Sequence, residues 1–233
     1  MTQTTVKVQN LRHTWPGGNE VIAIDSFALE HGESVFLAGP SGSGKSTLLG
    51  LIAGITPVQS GSIEVLGQLM DPVKPQARDR LRADQIGMIF QLFNLVPYLT
   101  AVDNVLLPLT FSDRRDQAAG NTAAAKHAEA KRLLGALGLP EETWERASSN
   151  LSVGQQQRVA AARALIGAPG LIVADEPTSA LDDDSRDDFL NLLSGIAREN
   201  GASLLFVSHD RSLATRFDRF VDLAEINHAG AMA

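Results

Sequence analysis

The stretch Gly39-Pro40-Ser41-Gly42-Ser43-Gly44-Lys45-Ser46-Thr47 has the residue types and spacing to hold phosphate, and it follows the apolar run Val35-Phe36-Leu37-Ala38. A strand that feeds a glycine-rich turn and then a helix aims several backbone N–H groups, and the positive end of the helix dipole, at one point. Phosphate oxygens suit that point. The glycines let the backbone approach a ligand without a Cβ in the way, Lys45 offers a point charge to β- and γ-phosphates, and Ser46 offers a hydroxyl to a magnesium ion. A nucleoside triphosphate with Mg2+ is the ligand this pattern predicts, in preference to a flexible glycine-serine turn, because a strand precedes it.

Two carboxylates, Asp175 and Glu176, close a second apolar run, Leu171-Ile172-Val173-Ala174. That places them at the carboxyl end of a strand, where open α/β sheets bind their ligands. Beside a phosphate loop the pair divides the work. Asp175 can hold the metal and Glu176 can polarise the water that attacks the γ-phosphate. Leu151-Ser152 reads as the cap of a helix that begins near Val153, so a second helix dipole faces outward there. His209 follows a third apolar run, Leu204-Leu205-Phe206-Val207. By spacing alone Ser152 is a plain capping serine and His209 a structural histidine; His13, His31, His127 and His228 have no partner suggested by spacing.

The elements that must carry these residues follow from periodicity. Alternation in 5–9, 21–24 and 62–65 predicts a small β-layer near the N-terminus, with turns rich in glycine and proline between its strands. The near-continuous apolar runs at 35–38, 86–90, 171–174 and 204–207 predict parallel strands covered on both faces. Helices are expected over 45–55, 122–137, 153–165 and 187–198, with Gly138 and Pro140 as a stop signal. The fold class is therefore α/β, with a mainly parallel central sheet, an antiparallel layer, and a mostly helical lobe inserted at residues 93–165 of a single domain over 1–233.

Composition limits the partners. With 233 residues, 44% of them hydrophobic, the chain can bury a sizeable core. Its net charge of −7 argues against a protein that grips nucleic acid by the phosphates. There is no cysteine, and no cationic start followed by an apolar stretch, so a cytosolic location is expected. The apolar region 86–99 is too short to span a membrane, and any membrane role must come through another chain.

The order Leu151-Ser152-Val153-Gly154-Gln155-Gln156-Gln157-Arg158-Val159, then Leu171 through Glu176-Pro177, then Ser179-Ala180-Leu181-Asp182 and Ser208-His209-Asp210, resembles the ATPase subunit of an ABC transporter across residues 6–226. Met88-Ile89-Phe90-Gln91-Leu92-Phe93-Asn94-Leu95-Val96-Pro97 and the Gln155–Arg158 run are most similar to the branch of lipoprotein-release, macrolide-export and FtsE-type cell-division ATPases. The resemblance implies two copies facing head to tail, with ATP between the phosphate loop of one and the signature segment Leu151, Ser152, Val153, Gly154 and Gln155 of the other. It further implies that Trp15 stacks on adenine, that Ser46, Gln91 and Asp175 hold magnesium, and that Glu176, His209 and Lys45 form the catalytic set. Ser179, Ala180, Leu181 and Asp182 would form an interface loop. The implied partners are a second copy and a separate FtsX- or MacB-like permease at the inner face of the cell membrane, for export, extraction or mechanotransmission. An FtsE-like regulatory ATPase and a soluble ABC-type ATPase are the alternatives. One departure stands out: Val153 occupies a position where the family most often has glycine, and valine tolerates positive φ poorly. We expect glycine there to serve only as a small residue.

Overall fold

The computed structural model describes residues 3–70, 74–179 and 181–229. In chain order its strands and helices are β1 (Thr4–Thr14), β2 (Glu20–Glu30), β3 (Ser34–Ala38), α1 (Lys45–Ile52), β4 (Ser60–Val65), β5 (Gln68–Leu69), α2 (Pro75–Gln85), β6 (Ile86–Ile89) and α3 (Ala101–Leu106). They continue with α4 (Asp113–Ala119), α5 (Ala123–Ala136), α6 (Val153–Leu165), β7 (Leu171–Asp175), α7 (Asp183–Glu199), β8 (Ser203–Val207), β9 (Arg219–Asp222) and α8 (Leu223–Ile226). Two compact units result, one from Met1–Arg82 with Ser203–Ala233 and the other from Ala83–Ala202.

In the first unit the alternating segments pair as an antiparallel sheet in the order β2-β1-β4-β5. Val6 lies opposite Leu29 and Val65, and Val8 opposite Phe27 and Ile63, so one face is apolar and buried while Lys7 and Gln9 stay exposed. β3 takes β8 on one side and β9 on the other, both parallel. Every residue of β3 and β8 is buried, as a strand covered on both faces requires. The rings of Phe36, Phe206 and Phe217 fill this core, with centroids 5.0–6.0 Å apart. Leu37 pairs with Val207, so the glycine-rich loop and His209 leave neighbouring strands at the same end.

In the second unit β6 and β7 pair in parallel and α6 packs closely against β6. A Cβ added at Gly87 would stand 2.2 Å from the Ala164 carbonyl oxygen, so strand and helix meet backbone to backbone. The fully buried Asn104 of α3 sets its Nδ2, with two hydrogens to give, within reach of the carbonyls of Val96, Leu99 and Thr100 and of Ser148 Oγ, and its Oδ1 accepts from the Val96 N–H. It fastens the segment before α3 to that helix.

The predicted helices 122–137 and 153–165 form as α5 and α6. Thr122 Oγ1 accepts from the Ala125 N–H, and Gly138 (φ 72°) stops α5 with the N–H groups of Gly138 and Leu139 bonded to Gly135 and Leu134. Two boundaries differ. The first helix ends at Ile52 rather than residue 55, because Gly54 turns left-handed (φ 68°). α7 begins at Asp183 rather than 187, because the Asp182 carboxylate accepts the Ser185 N–H and caps it there.

Candidate functional site

The loop at 39–47 is shaped by its glycines. A Cβ at Gly39 would lie 2.6 Å from Ser43 Oγ. Gly44 N-caps α1 at φ 98°, where a side chain is strained, and a Cβ there would meet Ile22 Cδ1 at 2.8 Å and the Val21 carbonyl at 3.0 Å. The first turn of α1 carries no acidic residue, so its positive end is not neutralised from within the helix. Lys45 Nζ donates to the carbonyls of Gly39 (2.7 Å) and Pro40 (3.0 Å), which holds the ammonium over the loop. Ser41, Gly42 and Ser46 are exposed and Thr47 is half-buried.

Trp15 stands beside this loop. It is 46% exposed and its indole N–H reaches Thr47 Oγ1 at 3.4 Å. The buried His13 sets an edge-on ring against it, 4.8 Å between centroids. Spacing gave His13 no partner, yet the chain just beyond the end of β1 sets the Trp15 ring against its imidazole. His209 is exposed just beyond β8, and the next residue, Asp210, caps the turn that follows by accepting the Ser212 N–H. The first unit thus gathers Trp15, the glycine-rich loop and His209.

The second unit holds the remaining residues. Ser152 and Gln155 form a capping box at the start of α6: the Gln155 N–H donates to Ser152 Oγ at 3.3 Å and the Ser152 N–H donates to Gln155 Oε1 at 2.9 Å. Because Ser152 Oγ is the acceptor in the cap, its own O–H proton is not spent on it. Val153 is the first helical residue, 48% exposed, with φ on the ordinary negative side. Glycine's freedom has no use there. A Cβ at Gly154 would lie 3.4 Å from Leu181 Cδ2, so the structure brings the turn after β7 to the start of α6.

Asp175 is the last residue of β7, and Glu176 turns the chain at φ 47°. A left-handed non-glycine residue costs about 1–2 kcal/mol and is a pointer to function when it sits at a strand end. The Ser179 N–H bonds to the Glu176 carbonyl and the Leu181 N–H to that of Thr178. Asp182 caps α7, and the backbone N–H of Ser185 holds its carboxyl below the usual range. Ala180 lies outside the described residues.

Gln91 is exposed in the turn after β6, and Leu92 beside it is 83% exposed. Phe93 and Asn94 then adopt φ 57° and 50° in succession. The Arg163 guanidinium, from the last turn of α6, donates to both of their carbonyls at 2.5 and 2.6 Å. Burial lowers its pKa. Arg115 of α4 does similar work at the end of α6, donating to Ala164 and Ile166 carbonyls, with its pKa pushed down to about 10 by burial. Neither arginine belongs to a motif, and no sequence signal marks a side chain whose acceptors are backbone carbonyls far along the chain.

Among the described residues no group of three or more His, Asp or Glu side chains could hold a metal alone. Magnesium does not require such a group, because it keeps several waters and takes one or two protein groups plus substrate phosphates. No helix of the described residues is long and apolar enough to cross a membrane.

Residues 23–179 match the profile of the ABC transporter family. The uncharacterized ABC transporter ATP-binding protein YbbA of Escherichia coli K12 is 38% identical over 224 residues, 95% of each chain. The macrolide export ATP-binding/permease protein MacB of Rhodopseudomonas palustris is 37% identical over 228 residues, 97% of this chain and 34% of that one. Among solved structures, the dimeric post-hydrolysis state of the ATP-binding cassette MJ0796, bound to ADP and Pi, superposes with a TM-score of 0.84 at 34% identity over 93% of both chains. The left-handed Glu176, the glycine-built loop and the capped Ser152 are thus seen in a chain that belongs to the ABC transporter family, as one of its ATP-hydrolysing ATP-binding proteins.

Proposed function

We propose that the chain works as a homodimer that closes on ATP and opens after hydrolysis, driving a separate permease subunit. The observation that carries this reading is a pair of outward-facing helix starts, α1 behind the glycine-rich loop and α6 behind Ser152, each suited to one side of a triphosphate. Folded head to tail, one copy offers Gly39 through Thr47 and the other offers the Ser152 hydroxyl and the Gly154 N–H. MJ0796, similar in fold and sequence, is described as a dimer with ADP and Pi, which supports the arrangement.

Trp15 stacks on the base, Lys45 and the loop N–H groups bind phosphates, Glu176 takes the proton of the attacking water, and His209 contacts the γ-phosphate. Ser46, Gln91 and Asp175 are the groups that would hold magnesium, which when bound neutralises phosphate charge. Ser179, Leu181 and Asp182, with Ala180, line the contact between copies, and the whole chain acts as one ATPase domain.

The permease reading draws on MacB, named as an ATP-binding/permease protein, of which this chain matches only 34%. We read that partner as a polypeptide of the FtsX or MacB kind. It would meet the chain at the inner face of the cell membrane, through residues 93–107 and the exposed side chains of Leu92 and Tyr98. Affinity capture from detergent-solubilised membranes of the source cells tests this. A partner that spans the membrane is expected, and a chain that brings down no membrane protein, with or without ATP, sinks the reading.

Val153→Gly is expected to change steady-state hydrolysis by the purified chain less than about tenfold, roughly 1.4 kcal/mol. The helical φ of Val153 already places Ser152 and Gly154. A larger gain would mean that the signature needs backbone freedom after all.

A further inference from the structure

We propose that Asn227, outside every motif of the family, is a positioning residue for the nucleotide: its carboxamide fixes the peptide plane between Ser43 and Gly44 so that the Gly44 N–H faces the phosphates. The inference rests on reading the loop at 39–47 as the phosphate site.

Asn227 follows α8 and forms an antiparallel bridge with Ile24 of β2. Its Nδ2 donates to the Val21 carbonyl at 2.8 Å and to the Ser43 carbonyl at 3.1 Å, across 184 positions of sequence. Its Oδ1 accepts from the N–H groups of Ala23 at 2.7 Å and Ala229 at 3.3 Å. A carboxamide has two N–H donors and two acceptor sites, and all four are used. The pattern also fixes which end is oxygen, because two carbonyls lie on one side and two N–H groups on the other.

The bond to Ser43 matters for a geometric reason. In a trans peptide the C=O of one residue and the N–H of the next point in opposite directions within one plane. Holding the Ser43 carbonyl toward Asn227 therefore turns the Gly44 N–H to the other side of the loop. The opposite plane would present a carbonyl oxygen to phosphate oxygens, an unfavourable pairing. Ser43 cannot supply the missing donor itself, since its own N–H is bonded to the Pro40 carbonyl at 3.2 Å.

Packing against Val21 and Ile22 backs Gly44, and the Asn227 hydrogen bond adds to it at the Ser43 carbonyl. Gly44 has no side chain, and a cavity of about 380 Å3 lies beside the loop, lined in part by Gly42, Ser43, Ala224 and Asn227. On the side of the loop that faces the cavity, hydrogen bonds add to the restraint. Asn227 is bridged to β2 at Ile24, and β2 also backs Gly44 through Val21 and Ile22. Strand, loop and tail are thereby tied at one carboxamide.

The test compares the parent chain with Asn227→Asp and Asn227→Ala. ADP with Mg2+ is titrated by calorimetry, and steady-state ATPase is measured over a range of ATP. The aspartate variant keeps the acceptor but sets a carboxylate against the Val21 and Ser43 carbonyls; the alanine variant removes both roles without repulsion. Expected are an ADP affinity and a KM about tenfold worse for the aspartate variant, a smaller loss for alanine, and kcat within about twofold of the parent, because saturating nucleotide pins the loop. A merely structural role would lower kcat through loss of folded protein and leave KM unchanged. That result overturns the inference, as does ADP affinity within twofold of the parent in both variants. If the parent itself binds no ADP, the phosphate-site reading falls and the inference with it.

Discussion

Glu176→Gln is expected to leave ATP binding intact while slowing hydrolysis by at least a hundredfold, about 2.7 kcal/mol of barrier. A positioned general base typically contributes 10²–10⁴-fold, and glutamine keeps the size and hydrogen-bonding shape of glutamate while losing the ability to take a proton. Glu176 is held at φ 47° directly after β7, so its backbone position is set by the turn rather than by the side chain. The substitution should therefore change chemistry without moving the chain. If, as proposed, the dimer opens only after hydrolysis, the variant should also accumulate as a dimer when ATP is added and return to monomer when ATP is removed. Phosphate release and size-exclusion chromatography with light scattering read the two effects. Hydrolysis at the parent's rate would show that another group activates the water.

The second large effect concerns the sharing of each site between copies. Lys45→Ala and Ser152→Asp should each reduce hydrolysis to a few per cent or less, for different reasons. In the proposed dimer, Lys45 supplies charge to the phosphates within its own copy. Ser152→Asp keeps a good helix cap, so α6 still starts where it does, but in the proposed dimer it would set a carboxylate against the γ-phosphate bound by the other copy. Mixing equal amounts of the two inactive chains gives roughly half mixed dimers, each with one intact and one doubly damaged site. Activity should recover to roughly a quarter of the parent's, if the intact site turns over by itself, and in any case at least tenfold above either variant alone. Absence of any gain on mixing, with mixed dimers shown by differential tagging, would place Ser152 and Lys45 in the same copy's site or in none.

What could be read from the sequence was what local chemistry dictates. The buried strands at 35–38, 171–174 and 204–207 appear because continuous apolar runs have few other uses, and Gly42 and Gly44 mark the loop because no other residue sits comfortably at their φ values. α6 was bounded correctly because Ser152 and Gln155 form a cap that is local in sequence. α2 was not foreseen: its eleven residues are mostly charged or polar and bury only Leu81, so no apolar period announces it. β9 is four residues long and draws its order from pairing with β3, far back in the chain. The same limit hid Asn227, Arg115 and Arg163. Each acts on backbone groups brought near by the fold, and nothing in the flanking residues encodes that meeting.

The fork that Arg163 makes with the turn after Gln91 ends on carbonyl oxygens, atoms that every amino acid carries. A joint of this kind is blind to side-chain identity. Within what a left-handed turn tolerates, the residues at 92–94 can drift in sequence to suit a new neighbour, and the link to α6 survives each change. The surface can be re-cut while the joint stays in place.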